Sequence, residues 1–105
     1  MNGGKAMDVK KGEILAGSWG YSMTLWGFYK VVSTSPKTVV LRKLKNKVIG
    51  GTQESLEVQP DLYSPLYEEF RVKNDPNQDM LFIRGKNILL NRFDPDRLYV
   101  ENHID

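Results

Sequence analysis

The chain has 105 residues and a mass of 12.1 kDa, enough for one domain that buries roughly 65% of its unfolded surface and folds without covalent staples. Fifteen Lys/Arg against 13 Asp/Glu give a formal charge of +2, and 27% charged with 40% hydrophobic residues is the balance of a globular chain, not of a disordered one or an acidic mimic of DNA. Cysteine is absent, which excludes disulfides, thiolate metal sites, iron–sulfur clusters and cysteine nucleophiles, and no run approaches the roughly 18 apolar residues of a membrane helix. The expectation is a cytoplasmic protein with no membrane partner and no cofactor.

Residues 1–11 carry two glycines and no apolar period, and are expected to lead into the fold without joining it. From Glu13 onward, short apolar runs alternate with Gly, Pro, Asn, Asp and Ser, the texture of strands joined by turns. Ile14–Ala16 reads as a first strand, Phe28–Val32 as a second and Thr38–Arg42 as a third, each rich in β-branched or aromatic residues. The turn Ser33-Thr34-Ser35-Pro36-Lys37 makes the last two a hairpin. In the third strand the apolar positions 39, 41 and 44 slip out of alternation, so a β-bulge near Arg42 or Lys43 is expected to bring Leu44 back to the inner face. Leu56–Val58, ending at Pro60, is expected at a sheet edge. Ser64-Pro65 with Glu68 and Glu69 predicts one helical turn, followed by a strand through Phe70 and Val72. Met80–Ile83 and Asn87–Leu90 read as strands reversing at Gly85, and Asp94-Pro95 begins a short turn or 3₁₀ segment. The predicted fold is mostly β: a single small, strongly bent sheet or SH3-like barrel of six to seven short strands with one or two short helical turns, spanning residues 12–99, with 100–105 as a tail.

Catalytic constellations are nearly absent. The one imidazole, His103, stands three residues from the end, where a general base is poorly held. Glu68/Glu69 and Asp94/Asp96 are the paired acids, but neighbours on a strand point to opposite faces and Asp94 precedes proline as turn residues do. With one His and no Cys, a metal would need an oxygen site, and no Asp-x-Asp-x-Asp-Gly loop is present. Gly17-Ser18-Trp19-Gly20 and Gly50-Gly51 lack the flanking elements of phosphate-cradling loops. A non-enzymatic protein is expected.

Two features point to binding. Trp19, Tyr21, Trp26, Phe28 and Tyr29 are five of 11 aromatics within eleven residues; exposed members could stack nucleobases or anchor a protein, whereas buried ones would be core. Arg42, Lys43, Lys45 and Lys47 crowd the end of the third strand, with Lys30 and Lys37 on the same hairpin. They could meet phosphates, or simply keep an edge from pairing. Residues 1–50 hold nine Lys/Arg against two acids and residues 51–105 six against eleven, an asymmetry that fits nucleic-acid contact or internal attraction equally.

The segments Gly12-Glu13-Ile14-Leu15-Ala16-Gly17-Ser18-Trp19-Gly20-Tyr21, Thr24, Phe28-Tyr29-Lys30-Val31-Val32 and Thr38-Val39-Val40-Leu41-Arg42 resemble a family of small phage, plasmid and mobile-element proteins. Its members look like GD-hydrophobics-SSWGY-DQTN-x-D-FYQVV followed by KTVTLR. Val58-Gln59-Pro60 and Ile88–Asn91 through Asp94 match more loosely, and the family's polar loop is replaced by Ser22, Met23, Leu25 and Gly27. The resemblance implies mobile-element origin and a compact β-rich fold, with no reaction to carry over. Two expectations of function follow: nucleic-acid association through the hairpin, with Arg42, Lys43, Lys45 and Lys47 on phosphate and Tyr21, Trp26 or Tyr29 stacking; or inhibition of a host defence protein, such as a restriction or CRISPR nuclease, with Trp19 and Trp26 among the anchors and the lysines as rim.

Overall fold

The computed structural model describes residues 8–20, 24–65, 68–74, 81–83 and 88–103. The strands are β1 (Ile14–Trp19), β2 (Leu25–Thr34), β3 (Thr38–Gly51), β4 (Ser55–Pro65), β5 (Phe70–Lys73), β6 (Leu81–Ile83), β7 (Ile88–Arg92) and β8 (Tyr99–Asn102). Seven pair antiparallel along the path β6-β7-β1-β2-β3-β4-β8, and β5 joins β3 beside that path. The outcome is an all-β, strongly curled half-barrel with no helix among the described residues.

β3 is the spine. Its 14 residues, at about 3.3 Å each, are long enough to run the 45 Å long axis of the molecule. One side of β3 pairs with β2, and the other takes β5 against Thr38–Leu41 and β4 against Leu44–Gly51. The Ser33–Lys37 hairpin forms as its residues require, with the Ser35 N–H donating to the Thr38 carbonyl at 2.8 Å. At the other end of β3, Gly51 has φ 96°, and a Cβ there would lie 2.1 Å from the Ser55 carbonyl, so only glycine closes the turn into β4.

Successive side chains on a strand leave by opposite faces, and here both faces are occupied. Leu15, Tyr29, Val31, Val39 and Leu41 project to one side, where Val72, Leu81, Ile83, Ile88 and Leu90 complete a first core. Ile14, Ala16, Trp26 and Phe28 project to the other and meet Leu56, Val58, Phe93 and Tyr99 in a second. Two hydrogen bonds between Thr24 and Asn102 tie β8 back to the start of β2, so that β2, β3, β4 and β8 wrap the second core. Within it, the Tyr99 ring meets Trp26 edge-on at 4.7 Å and Phe28 at 5.3 Å and stacks on Phe93, while its hydroxyl accepts the Asp94 N–H at 2.9 Å.

Several sequence expectations change. No bulge falls at Arg42 or Lys43: the β2–β3 register is unbroken from Phe28↔Leu44 to Val31↔Leu41, and the shift lies in β2 at Val32. Leu44 is out of phase with Val39 and Leu41 because it faces the opposite side, as Phe28 does. Leu56–Val58 is not at an edge but between β3 and β8. The expected tail is β8, with Tyr99 and Glu101 buried, and the expected lead contributes Val9 to the first core. The Ser64 helical turn is not seen: β4 continues to Pro65, and Leu66-Tyr67 lies outside the described residues, as do Gly85 and residues 1–7. Asp94–Arg97 is a single turn closed by the Arg97 N–H on the Asp94 carbonyl.

Tyr99→Ala should cost about 3–5 kcal/mol by removing the centre of the second core, read as a lower urea midpoint with unchanged slope. Burial raises the pKa of Tyr29, so the unfolded chain ionises first; the stability this represents is complete below the unfolded value and lost as pH rises through the folded one. Tyr29→Phe should therefore lose less stability than the parent between roughly pH 9 and 11.

Candidate functional site

The residues singled out by sequence separate by the same alternation that divides the core. Trp19, 42% exposed, lies on the Lys43 side of the sheet, where the Lys43 ammonium sits 5.9 Å from the indole centroid. Lys43 is opposite Tyr29 in the register, and Arg42 is opposite Lys30, so neighbours in sequence face opposite ways. Tyr29 is only 2% exposed and its ring meets Phe70 within the first core, which removes it as a stacking surface. Trp26 is half-buried: its indole N–H donates to the Val100 carbonyl at 3.0 Å, and the Arg97 guanidinium covers the ring at 5.1 Å. The buried Glu101 carboxylate accepts the Trp26 backbone N–H at 2.9 Å and the Asn46 amide at 3.1 Å, and its other oxygen lies 3.1 Å from His103 Nε2. That network joins β8 to β2 and β3 and accounts for Trp26 without any partner. Lys45 and Lys47 are exposed, and their charges reach Asp61. Tyr21 lies outside the described residues.

What the fold does assemble is a different basic surface. On β3, Thr38, Val40, Arg42 and Leu44 alternate onto the face turned away from the first core. The register sets Lys73 opposite Thr38, Arg71 and Ser33 opposite Val40, and Lys30 opposite Arg42. Gly12, in a left-handed turn at φ 93° and hydrogen-bonded through its N–H to the Val31 carbonyl, brings Lys11 beside them. Five cations, Lys11, Lys30, Arg42, Arg71 and Lys73, thus share one face. Among the described residues a single ion pair reaches them, Arg42 to Glu69 at 3.2 Å. Like charges directly opposite across a ladder are destabilising, and the Lys30–Arg42 pair is such a contact.

Two depressions mark this face. One of about 290 Å³ is lined by Ser33, Thr34, Ser35, Thr38, Val40 and Arg71. The other, about 660 Å³, has Lys11, Lys30 and Arg42 among its walls, with Leu44 and Val32 toward its floor and Leu62, Tyr63 and Pro65 from β4 opposite. Arg42 Nε has almost no solvent contact and no hydrogen-bond partner among the described residues; an orphaned buried donor costs about 1–3 kcal/mol.

The β4 wall comes from a bulge that the sequence reading missed. Leu44 pairs with Pro65 and Asn46 with Pro60, so Asp61–Ser64 oppose Lys45 alone. Asp61 braces this bulge: its carboxylate accepts a hydrogen bond from the Ser64 side chain and another from the Tyr63 N–H at 3.2 Å. These bonds, with Lys47 and Lys45 nearby, hold its pKa below the ordinary value. Tyr63 stands out from the brace at 91% exposure. The signal was present in Pro60-Asp61-Leu62-Tyr63-Ser64-Pro65, where Asp and Ser between prolines are turn chemistry.

Iodide should quench the remaining tryptophan more strongly in Trp26→Phe, which leaves the open Trp19, than in Trp19→Phe, which leaves the ring beneath Arg97; equal quenching in both would contradict these placements. No protein-family model matches the chain, and no curated protein and no solved structure matches it, so the chemistry of this surface is the guide to its partner.

Proposed function

We propose that this protein is a binding protein that associates with nucleic acid through the open face of β2, β3 and β5. Lys11, Lys30, Arg42, Arg71 and Lys73 meet successive phosphates, and the hydroxyls of Ser33 and Thr38 add neutral hydrogen bonds to the backbone. The observation that carries the reading is the placement of five cations on one exposed face, with one ion pair, Arg42 to Glu69, reaching them among the described residues. A polyanion offsets the repulsion between Lys30 and Arg42 and supplies further charged acceptors there. Compared with the sequence expectation, the interface keeps Arg42, moves to the face opposite Lys43, and leaves Lys45 and Lys47 beside Asp61.

Binding of a generic oligonucleotide should weaken steeply with salt, by close to one unit of log–log slope per phosphate neutralised. Lys30→Ala with Arg71→Ala should flatten that slope by roughly 1.5–2 units, while Lys45→Ala with Lys47→Ala leaves it nearly unchanged. Lys30→Ala also removes a like-charge contact, so loss of binding cannot be put down to unfolding if thermal melting is preserved. No retention of any oligonucleotide at low salt would reject the proposal. Salt-tolerant capture of one purified host defence protein instead would favour the inhibitor reading.

A further inference from the structure

Resting on that reading, we infer that the groove between β3 and the β4 bulge takes single-stranded nucleic acid, seating a base on Tyr63 and its phosphate on Lys30 and Arg42, with Glu69 as a built-in competitor for the guanidinium.

Tyr63, 91% exposed, gives nothing to the core, yet its backbone is pinned by Asp61 in a bulge that opposes four residues to one. A ring that leaves an anchored backbone with its faces in water is available as a stacking platform. Bases stack on aromatic faces in a sequence-tolerant way, because every base has a π-face. In a duplex those faces are already paired within the stack, and only strand ends or kinked steps offer them. A single strand offers them at each nucleotide.

The groove supplies the other half of a nucleotide's chemistry. Tyr63, Leu62 and Pro65 form one wall, and Lys11, Lys30 and Arg42 another, around a volume of about 660 Å³, within the roughly 300–1,000 Å³ of clefts that enclose small organic groups. An apolar and aromatic wall facing a cationic one fits a base joined to a phosphate. It fits a convex duplex surface poorly, since that surface presents phosphates, sugars and base edges but keeps the base faces stacked inside.

Glu69 completes the picture. It lines the same groove and pairs with Arg42 Nη2 at 3.2 Å, with both side chains partly open at 38% and 43%. An incoming phosphate must share or displace that carboxylate. The guanidinium is an arginine's usual means of holding a phosphate, and its Nη2 is the atom that Glu69 occupies. Removing the charge at Glu69 should therefore strengthen binding, the reverse of what loss of a structural ion pair brings.

The test is fluorescence anisotropy with a labelled 12-nucleotide single strand of mixed sequence and the matching duplex, on the intact chain and on Tyr63→Ala, Glu69→Gln and Lys30→Ala. Tyr63 is exposed, so Tyr63→Ala should keep the parent melting temperature and lose roughly 5- to 30-fold in single-strand affinity, with little change for duplex. Tyr63→Phe should restore it, and Glu69→Gln should tighten single-strand binding several-fold at low salt. If single strand and duplex bind alike and Tyr63→Ala alters neither, the inference is overturned although the cationic face stands, provided Lys30→Ala still weakens both. If Glu69→Gln weakens binding, the competitor role is rejected. If neither nucleic acid binds at low salt, both the inference and the reading beneath it fail.

Discussion

The architecture depends on burying both faces of β1 and of the first half of β2. A small sheet usually hides one face and wets the other; here Leu15 and Tyr29 enter one core while Ala16 and Phe28, their immediate neighbours, enter another. A sheet buried on both sides must be covered from both sides, and the chain does so by wrapping β5, β6 and β7 around the first core and β4 and β8 around the second. Gly17 is part of the same solution. A Cβ there would lie 2.5 Å from Ile88 Cγ2 and 2.9 Å from the Leu89 carbonyl, so its missing side chain is what lets β7 close on β1.

That division leaves a remnant. On the side of the second core, the face of β2 and β3 is covered only as far as Phe28 and Leu44. Beyond them, toward β5, the same face opens to solvent and its residues become Lys30, Arg42, Val40, Arg71 and Thr38. The transition from core to cationic face happens along continuous strands, with no change of backbone. A surface held by the central ladder is stiff, and stiff positioning is what repeated phosphate contact requires, because little ordering of side-chain supports is left to be done on binding. The β4 bulge sits at the boundary of the two regimes. It exists because β4 has three more residues than β3 between two fixed pairings, and Asp61 gathers the excess into a hydrogen-bonded turn instead of a loose loop.

The electrostatics are local. With a net charge of only +2, the protein attracts polyanions through distribution and not through total charge. Acids are spent in specific places: Glu101 inside the second core's polar network, Glu13 on Arg92, Asp61 in its own turn near Lys45 and Lys47, Glu69 on Arg42. The excess of base in the first half of the sequence is thereby answered for Lys45 and Lys47 and left open at Lys30, which faces another cation.

Much of the local structure was legible in the sequence. Apolar runs of β-branched and aromatic residues, broken by Ser-Pro, Gly-Gly and Asp-Pro, marked the strands and the β2–β3 hairpin, because strand propensity and turn chemistry act over a few residues. The slip of Leu44 against Val39 and Leu41 was visible too, but its meaning was not. Alternation shows which residues share a face, while only the rest of the chain shows whether the other face is also covered, and β8, which covers it, read as a tail. The same limit governed the site. Arg42 and Lys43 are adjacent as letters and opposed as side chains, whereas Lys30, Arg42 and Arg71 are far apart in the chain and neighbours across strands. Composition and spacing determined that this is a small β protein with clustered base and clustered aromatics; pairing register, a property of three strands at once, decided which of those residues meet.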